Sequence, residues 1–190
     1  MSATPVSALE AAYAEPHRRY HTRRHIEQCL SLLDQVPELL ESERRVLTWA
    51  IWWHDAVYDP RASDNEARSA DLARRELREL DASIHEREEV ARLIRLTAGH
   101  EVEAEDRLGE ILVSIDLAIL GAQPAAYDQY VVDVRAEYAH VGDDAWRQGR
   151  GRVLRHFLEA PALYPDPALR ARFETQARAN LARELAAIEA

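Results

Sequence analysis

Four ionisable residues lie beside or within apolar stretches of the sequence. His54 and Asp55 are adjacent at the end of an apolar run rich in tryptophan, and Asp116 interrupts a second apolar run. His25 directly precedes the apolar stripe of a third segment. Burying a carboxylate or an imidazole costs free energy unless a partner compensates it, and a lone buried carboxylate becomes protonated or destabilises the fold. A bound divalent cation removes both problems, because imidazole nitrogen and carboxylate oxygen are common metal ligands.

The four residues therefore predict one metal site drawn from three helical segments. Such a site is rigid and can leave coordination positions open for water and substrate, as a catalytic metal requires. The ligand mixture accepts Mn, Fe, Ni, Co, Zn or Mg, so the identity of the metal stays open. Each residue also has an ordinary explanation, since a buried histidine is usually a hydrogen-bonded core residue and a buried Asp often pairs with Arg. The adjacent His-Asp pair together with an isolated Asp in another apolar helix is the combination that favours a metal.

The composition excludes several kinds of chemistry. All 24 basic residues are arginines, so the chain lacks the lysine of a P-loop and the amine of a Schiff-base enzyme. The six glycines form no GxGxxG cluster, which argues against a dinucleotide-binding turn. A formal charge of -10 argues against nucleic-acid polymers and anionic membranes as partners. One cysteine, no signal-peptide pattern and no transmembrane-length apolar run predict a cytoplasmic protein.

The apolar residues recur at helical spacing nearly throughout the chain, and no alternating β-branched run suggests a strand. Ser63 to Glu66 and Ser83 to Glu86 each have the pattern of a capping box at the start of a helix. Further helices are expected at about 125–139, 143–160 and 167–187. The sequence therefore predicts an all-α fold, a single compact globular domain over residues 1–190 with roughly seven to nine helices.

The candidate ligands occur in an order that resembles the signature of the HD superfamily of metal-dependent phosphohydrolases. That signature is a His, an adjacent His-Asp pair and a distant Asp, all on helices, and here it corresponds to His25, His54-Asp55 and Asp116. The chain also resembles a small bacterial branch of that superfamily over nearly its whole length, in order. The matching stretches are Tyr13 to Ile26, His54 to Asp59, Asp64 to Ala70, Thr97 to His100, Asp116 to Gly121, Tyr127 to Tyr130, Arg135 to Tyr138, Gly149-Arg150 and Asn180 to Leu185. The resemblance implies an all-α HD domain that hydrolyses a phosphate ester by means of a metal-activated water.

The resemblance leaves the number of metals open. Binuclear HD proteins carry further His ligands between the HD pair and the final Asp, and this chain has His85 and His100 in that interval. Related branches often have a His where this chain has Asn65. We therefore expect one tightly bound divalent metal, with His100 near the substrate phosphate or as a ligand of a weak second metal.

The acid–base group has two candidates, Asp59 and Glu66. Asp59 lies four residues after Asp55, and Glu66 lies just beyond the following loop. Each has a structural alternative: Asp59 can form a turn with the next proline, and Glu66 can complete a capping box with Ser63.

The phosphate has a wider set of candidate contacts. The guanidinium fork suits phosphate oxygens, which singles out Arg18, Arg135 and Arg150, although Arg135 and Arg150 can instead be held in internal ion pairs. Tyr20 and His21 can contact the substrate, pack against the core, or orient His25.

The leading functional prediction is a metal-dependent phosphohydrolase that acts on a small phosphorylated metabolite, with a nucleotide as the first candidate. One alternative is an HD-fold di-iron oxygenase, which needs about six ligands, and Asn65 leaves this chain short of them. Another is a non-catalytic helical module that binds a ligand or partner through a relict metal site. The expected partner is a small phosphate compound rather than a nucleic-acid polymer or a membrane. A homodimer is the simplest oligomeric state for a small helical enzyme.

Overall fold

The computed structural model describes residues 6–190, and the side chains of residues 9–190. Within this part of the chain the structure is helical and contains no strand. Nine α-helices follow one another: α1 Val6–Tyr13, α2 Arg23–Leu33, α3 Glu41–Trp53, α4 Asn65–Glu76, α5 Ile84–Leu96, α6 Arg107–Asp116, α7 Pro124–Glu137, α8 Asp143–Glu159 and α9 Pro167–Glu189. Short 3₁₀ helices extend α4 at Leu77–Leu80 and α6 at Leu117–Gly121. The predicted all-α class with seven to nine helices is confirmed.

The chain divides into two compact units, of which the first ends at Leu112 and the second runs from Val113 to Ala190. The division falls within α6. The single domain expected over residues 1–190 stays a prediction. Among residues 6–190, no single helix combines the length and apolar character needed to cross a membrane. One bent pair, Arg107–Gly121 and Pro124–Glu137, meets that requirement by length and composition alone.

Helix α3 provides much of the core of the first unit and contacts α2, α4 and α5. Leu47, Ala50 and Ile51 are fully buried, as their spacing of three and four residues predicts for one face of a helix. Burial of each large aliphatic side chain contributes about 1.5–3 kcal/mol. Trp53 is also buried, and its indole Nε1 donates a 2.8 Å hydrogen bond to Oε2 of Glu76 on α4. The end of α3 is thereby fixed against the next helix.

Of the two predicted capping boxes, one is confirmed and one is wrong. At α5, the Glu86 amide donates to Oγ of Ser83, and the Ser83 amide donates to the Glu86 carboxylate. Helix α4 instead has Asp64 as its N-cap, without a side-chain capping hydrogen bond. Helix α4 thus begins one residue later than a capping box with Ser63 requires. Glu66 is therefore the second residue of the helix and not the third.

In the second unit, α9 contacts α8 and the short helix Leu117–Gly121. The buried amide of Asn180 on α9 donates to the carbonyl oxygens of Leu120 and Ala122, at 2.9 and 2.8 Å. These bonds satisfy carbonyls that the end of the short helix leaves without helical partners. Gly121 permits the close approach, because a Cβ there would lie 2.7 Å from the carbonyl oxygen of Phe173.

Candidate metal centre

The candidate metal centre of the first unit is formed by His25, His54 and Asp55. The His25 and His54 Nε2 atoms are 3.1 Å apart, and the same Nε2 of His54 lies 3.1 Å from Oδ2 of Asp55. The third distance, from His25 Nε2 to Asp55 Oδ2, is 3.7 Å. Two ligands of one metal at ordinary bond lengths lie about 2.8–3.6 Å apart in octahedral or tetrahedral geometry. The three donor atoms therefore nearly match the spacing of neighbouring ligands on one ion, and they could hold a metal.

His54 closes α3, and its tautomer follows from its surroundings. Its Nδ1 lies 2.9 Å from the carbonyl oxygen of Ile51, which can only accept, so Nδ1 carries the hydrogen. In the neutral ring Nε2 is then an acceptor, and it faces the carboxylate of Asp55, another acceptor. Two acceptors at this distance repel each other unless a proton or a cation lies between them. The donor set is therefore chemically suited to a divalent cation.

His25 lies in the first turn of α2 and is only 4% exposed. Its Nδ1 is 3.1 Å from the hydroxyl of Tyr20, which occupies the ring nitrogen that points away from His54. Metal-binding histidines commonly have a hydrogen-bond partner at the second ring nitrogen, because it fixes the tautomer and the ring orientation. Both histidines thus have Nδ1 anchored and Nε2 directed into the cluster.

Asp55 is the charged member of the cluster, and its side chain is 16% exposed. Burial alone would raise its pKa, but the imidazoles of His54, His21 and His25 outweigh this effect and hold the pKa of Asp55 well below its usual range. The carboxylate is therefore ionised at neutral pH, as a metal ligand must be.

Asp116, the fourth predicted ligand, is the last residue of α6 and belongs to the second unit. Its side chain is partly exposed. Its role as a ligand beside the three residues of the first unit stays a prediction.

Cys29 lies beside the cluster, although it is not among the ligands predicted from the sequence. Its buried Sγ lies 3.8 Å from both ring nitrogens of His25. The sequence signal for this contact is the spacing of four residues between His25 and Cys29, since residues so spaced lie on one face of a helix. On the sequence alone, Cys29 reads as an ordinary member of an apolar stripe.

Arg18 has a fully buried side chain and is surrounded by carbonyl oxygens. Its Nη1 donates to the carbonyls of His21 and Asp55, and its Nη2 donates to that of Ala56. Its Nε donates to Glu15 Oε2 at 3.0 Å. The predicted contact between Arg18 and substrate phosphate stays a prediction, but these four bonds already engage all three of its nitrogens.

Tyr20 and His21 lie beside the cluster. The ring of His21 stacks on Tyr58 with centroids 4.2 Å apart, and the ring of Tyr20 meets His21 edge-on at 5.0 Å. Of the three roles considered for Tyr20, the structure contains the contact needed to orient His25.

Asp59 and Glu66, the two candidate acid–base residues, lie in the loop after the His-Asp pair and at the start of α4. Asp59 is exposed, and its Oδ1 accepts a 2.9 Å bond from the Arg61 amide, the contact expected of a turn. Glu66 is partly exposed. Asn65 uses both amide atoms on the backbone of Asp59, at 3.0 and 2.9 Å. Asn65 therefore holds the loop, whereas the catalytic roles of Asp59 and Glu66 stay predictions.

The remaining predicted phosphate contacts have other partners in the structure. Arg150 forms a buried ion pair with Glu184, at 2.7 Å from Nε and 3.0 Å from Nη2. Arg135 donates to Asp143 and to two backbone carbonyls. His100 follows α5 with a φ of 56°, and its amide closes the helix by bonding to the carbonyl of Leu96. The phosphate roles of these three residues stay predictions.

Comparisons with protein-family models, with curated proteins and with solved structures find no match for this chain. The class of protein is therefore defined by the fold and the site alone. It is an all-helical protein with a buried cluster of two histidines and an aspartate that could hold a metal ion.

Proposed function

We propose that this chain is a metal-dependent phosphohydrolase that hydrolyses a phosphate ester of a small metabolite, with a nucleotide as the first candidate. The observation that carries the proposal is the convergence of His25 Nε2, His54 Nε2 and Asp55 Oδ2 to within 3.1–3.7 Å. The ordered resemblance of the sequence to HD-superfamily phosphohydrolases supports the same reaction class.

The residues of the cluster have separable tasks in this proposal. A metal ion, when bound, lowers the pKa of a water molecule and balances charge on the phosphate as the P–O bond breaks. His25 and His54 each supply a neutral nitrogen whose direction is fixed by the bond at Nδ1. The carboxylate of Asp55 remains ionised at neutral pH. Its negative charge would reduce the net charge of the site when a metal ion is bound.

Proton transfer needs a group beside the cluster. Asp59 and Glu66 both flank the loop that follows the His-Asp pair, and both are accessible to solvent at least in part. A carboxylate in either position can take a proton from water or give one to the leaving oxygen if the bound substrate brings that oxygen within hydrogen-bond reach. The proposal keeps both as candidates for this role.

A small, diffusible substrate fits the charge of the protein better than a polymer. The formal charge of -10 repels a polyphosphate backbone at long range, whereas one phosphate needs only local compensation. Cation and arginine contacts supply such compensation over a few ångströms.

The test is a substrate panel assayed with defined metals. Purified protein is stripped of metal, reloaded with Mn²⁺, Co²⁺, Ni²⁺ or Mg²⁺, and assayed for phosphate release from nucleoside monophosphates, nucleoside triphosphates and sugar phosphates. We expect activity with at least one metal and its loss in His54→Ala and Asp55→Ala, together with loss of bound metal by elemental analysis. His156→Ala, an exposed histidine on α8, is the matched control and should retain both. If no metal supports hydrolysis of any compound in the panel, the proposal is wrong.

A further inference from the structure

The segment Asp55–Asp59 begins at the aspartate of the His-Asp pair and has no regular secondary structure, yet side chains hold its backbone at every residue. Arg18 bonds the carbonyls of the first two residues, and Ser69 bonds both the amide and the carbonyl of the third, at 3.0 and 3.3 Å. His17 bonds the carbonyl of the fourth at 2.8 Å, and Asn65 bonds both groups of the fifth. In most loops, water bonds to many of the backbone amides and carbonyls. Here side chains make these bonds, so the position of the backbone is fixed by the protein itself.

Arg18 is a buried residue among those that hold the segment, and it bonds directly to the backbone of a candidate metal ligand, Asp55. Its bond to the carbonyl of Asp55 is 2.7 Å, the shortest of its four, and its side chain is 0% exposed. The guanidinium carbon lies 5.2 Å from the ring centre of Tyr13 and 5.4 Å from that of Tyr58. Two aromatic rings and four hydrogen bonds therefore hold the guanidinium of Arg18 in place.

We infer that Arg18 is a positioning residue for Asp55, and that it fixes the backbone from which the carboxylate reaches His54 Nε2 and the metal. This inference rests on the proposed function, since it requires that the cluster binds a metal. It assigns Arg18 a role different from the phosphate contact that the sequence suggested. The guanidinium acts through the peptide carbonyls of Asp55 and Ala56 and not through contact with the substrate.

The chemistry of the contact explains why an arginine is needed. Two terminal nitrogens of one planar group reach the carbonyls of consecutive residues, and a third contact reaches the carbonyl of His21. A lysine ammonium has all of its donors on one freely rotating nitrogen, so it cannot reach these carbonyls with the fixed geometry of a planar guanidinium. Glu15 balances the charge of the guanidinium through Nε, so that a cation is tolerated close to a metal site.

Arg44 is a matched control for the inference, since it makes bonds of the same kind away from the cluster. Its Nη1 donates at 2.9 Å to the carbonyl of Leu33, the last residue of α2, and its Nη2 donates at 3.0 Å to that of Val36, beyond the helix. If Arg18 only joined segments of the chain, its substitution would affect stability but not metal binding, as we expect for Arg44. Unlike these two bonds of Arg44, the shortest bond of Arg18 goes to one of the candidate ligands, Asp55.

The experiment measures metal binding and stability in parallel. Mn²⁺ affinity is measured by calorimetry, the Co²⁺-loaded protein is examined by visible absorption, and urea unfolding is followed for each variant. For Arg18→Lys and Arg18→Met we expect Mn²⁺ affinity to fall by about 10–100-fold, the effect typical of groups that orient ligands. The Co²⁺ spectrum should shift in both variants, because its ligand field follows the position of the carboxylate. Arg44→Met should lose stability but keep the affinity and the spectrum of the wild type.

The outcomes separate this inference from the proposed function. If the wild-type protein binds no Mn²⁺ or Co²⁺, the metal site is wrong and the inference falls with it. If the wild type binds metal and the folded Arg18 variants bind it with unchanged affinity and spectrum, only the inference is wrong. If neither Arg18 variant folds, the inference is also overturned, because the fold itself would then depend on Arg18. Reduced affinity in folded Arg18→Lys, with the Arg44→Met control unaffected, supports it.

Discussion

Nε2 of His54 lies 3.1 Å from Oδ2 of Asp55, although the two residues are adjacent in the chain. Inside a helix, neighbouring side chains point in directions about 100° apart and do not meet. Here α3 ends at Trp53 with His54 as its C-cap, so Asp55 lies in the turn beyond the helix and its carboxylate can turn back towards the imidazole. The end of the helix, and not only the His-Asp dipeptide, therefore creates the pair. A dipeptide of the same type within a helix would present its two groups to different faces.

Tyr20 provides the first prediction, since its hydroxyl is 3.1 Å from Nδ1 of His25. In Tyr20→Phe that contact is lost and the imidazole becomes free to rotate or change tautomer. We expect metal affinity to fall by about tenfold or more, with unfolding free energy lowered by about 0.5–1.5 kcal/mol. Calorimetric metal titration and urea unfolding measure the two quantities. Tyr164→Phe is the control, because it removes a buried 3.1 Å bond to the Leu117 carbonyl in the second unit and should leave metal affinity unchanged.

Asn65 provides a test of the number of metals. Since both of its amide atoms bond to the backbone of Asp59, Asn65→Ala should lower stability by about 1–3 kcal/mol and leave metal content at saturation unchanged. Elemental analysis and urea unfolding decide between a loop contact and a ligand. Gln129→Ala, which removes an exposed side-chain contact with Asp133, serves as the control and should change neither. Loss of metal from the Asn65 variant would contradict this prediction.

Arg150 provides the third prediction, because it is paired with Glu184 in a buried position. Arg150→Met leaves that carboxylate without its cation, which should cost about 3–5 kcal/mol of stability. The double variant Arg150→Met/Glu184→Met should regain most of this loss, since no charge is then buried. On the same two helices, Arg155 and Glu189 form an exposed pair, and Arg155→Met should cost less than about 1 kcal/mol.

The measurements for Arg150 are urea unfolding and steady-state kinetics with the substrate identified from the panel. An Arg150→Met protein with the stability of the wild type and a raised KM would instead support the phosphate contact suggested by the sequence. The double variant distinguishes the two roles again, because a phosphate contact would not be restored by removing Glu184.

Glu86 provides a prediction about pH. Hydrogen bonds from the Ser83 hydroxyl and amide, and then from Arg45, lower the pKa of Glu86 from its ordinary value of 4.5 to about 2. Because the folded pKa is below the unfolded one, this contribution to stability is complete above about pH 4.5 and is lost as the pH falls towards 2. Between about pH 5 and about pH 2, Glu86→Gln should therefore lose less unfolding free energy than the wild type. Equal pH dependence in the two proteins would show that the Ser83 box does not hold the ionised carboxylate.

Much of the helical structure could be predicted from the sequence, because helices depend on contacts between residues three and four positions apart. The predicted segments 143–160 and 167–187 correspond to helices Asp143–Glu159 and Pro167–Glu189. The Ser83 box was recognised for the same reason, since all of its partners lie within four positions. The Ser63 pattern was misleading, because the loop contacts of Asn65 with Asp59 accompany a later helix start, and these contacts span six positions.

The composition of the candidate site was determined by the sequence itself, since His25, His54 and Asp55 stand out as ionisable residues beside apolar stripes. Tertiary structure alone decided how their atoms meet, because His25 and His54 are 29 positions apart and no local rule sets that approach. It also decided the contacts of Arg18, whose bond to the carbonyl of Asp55 spans 37 positions. An arginine near a ligand motif suggests a phosphate contact when only its charge is known. Its hydrogen-bond acceptors become known only when distant segments of the backbone are brought together by burial of the core.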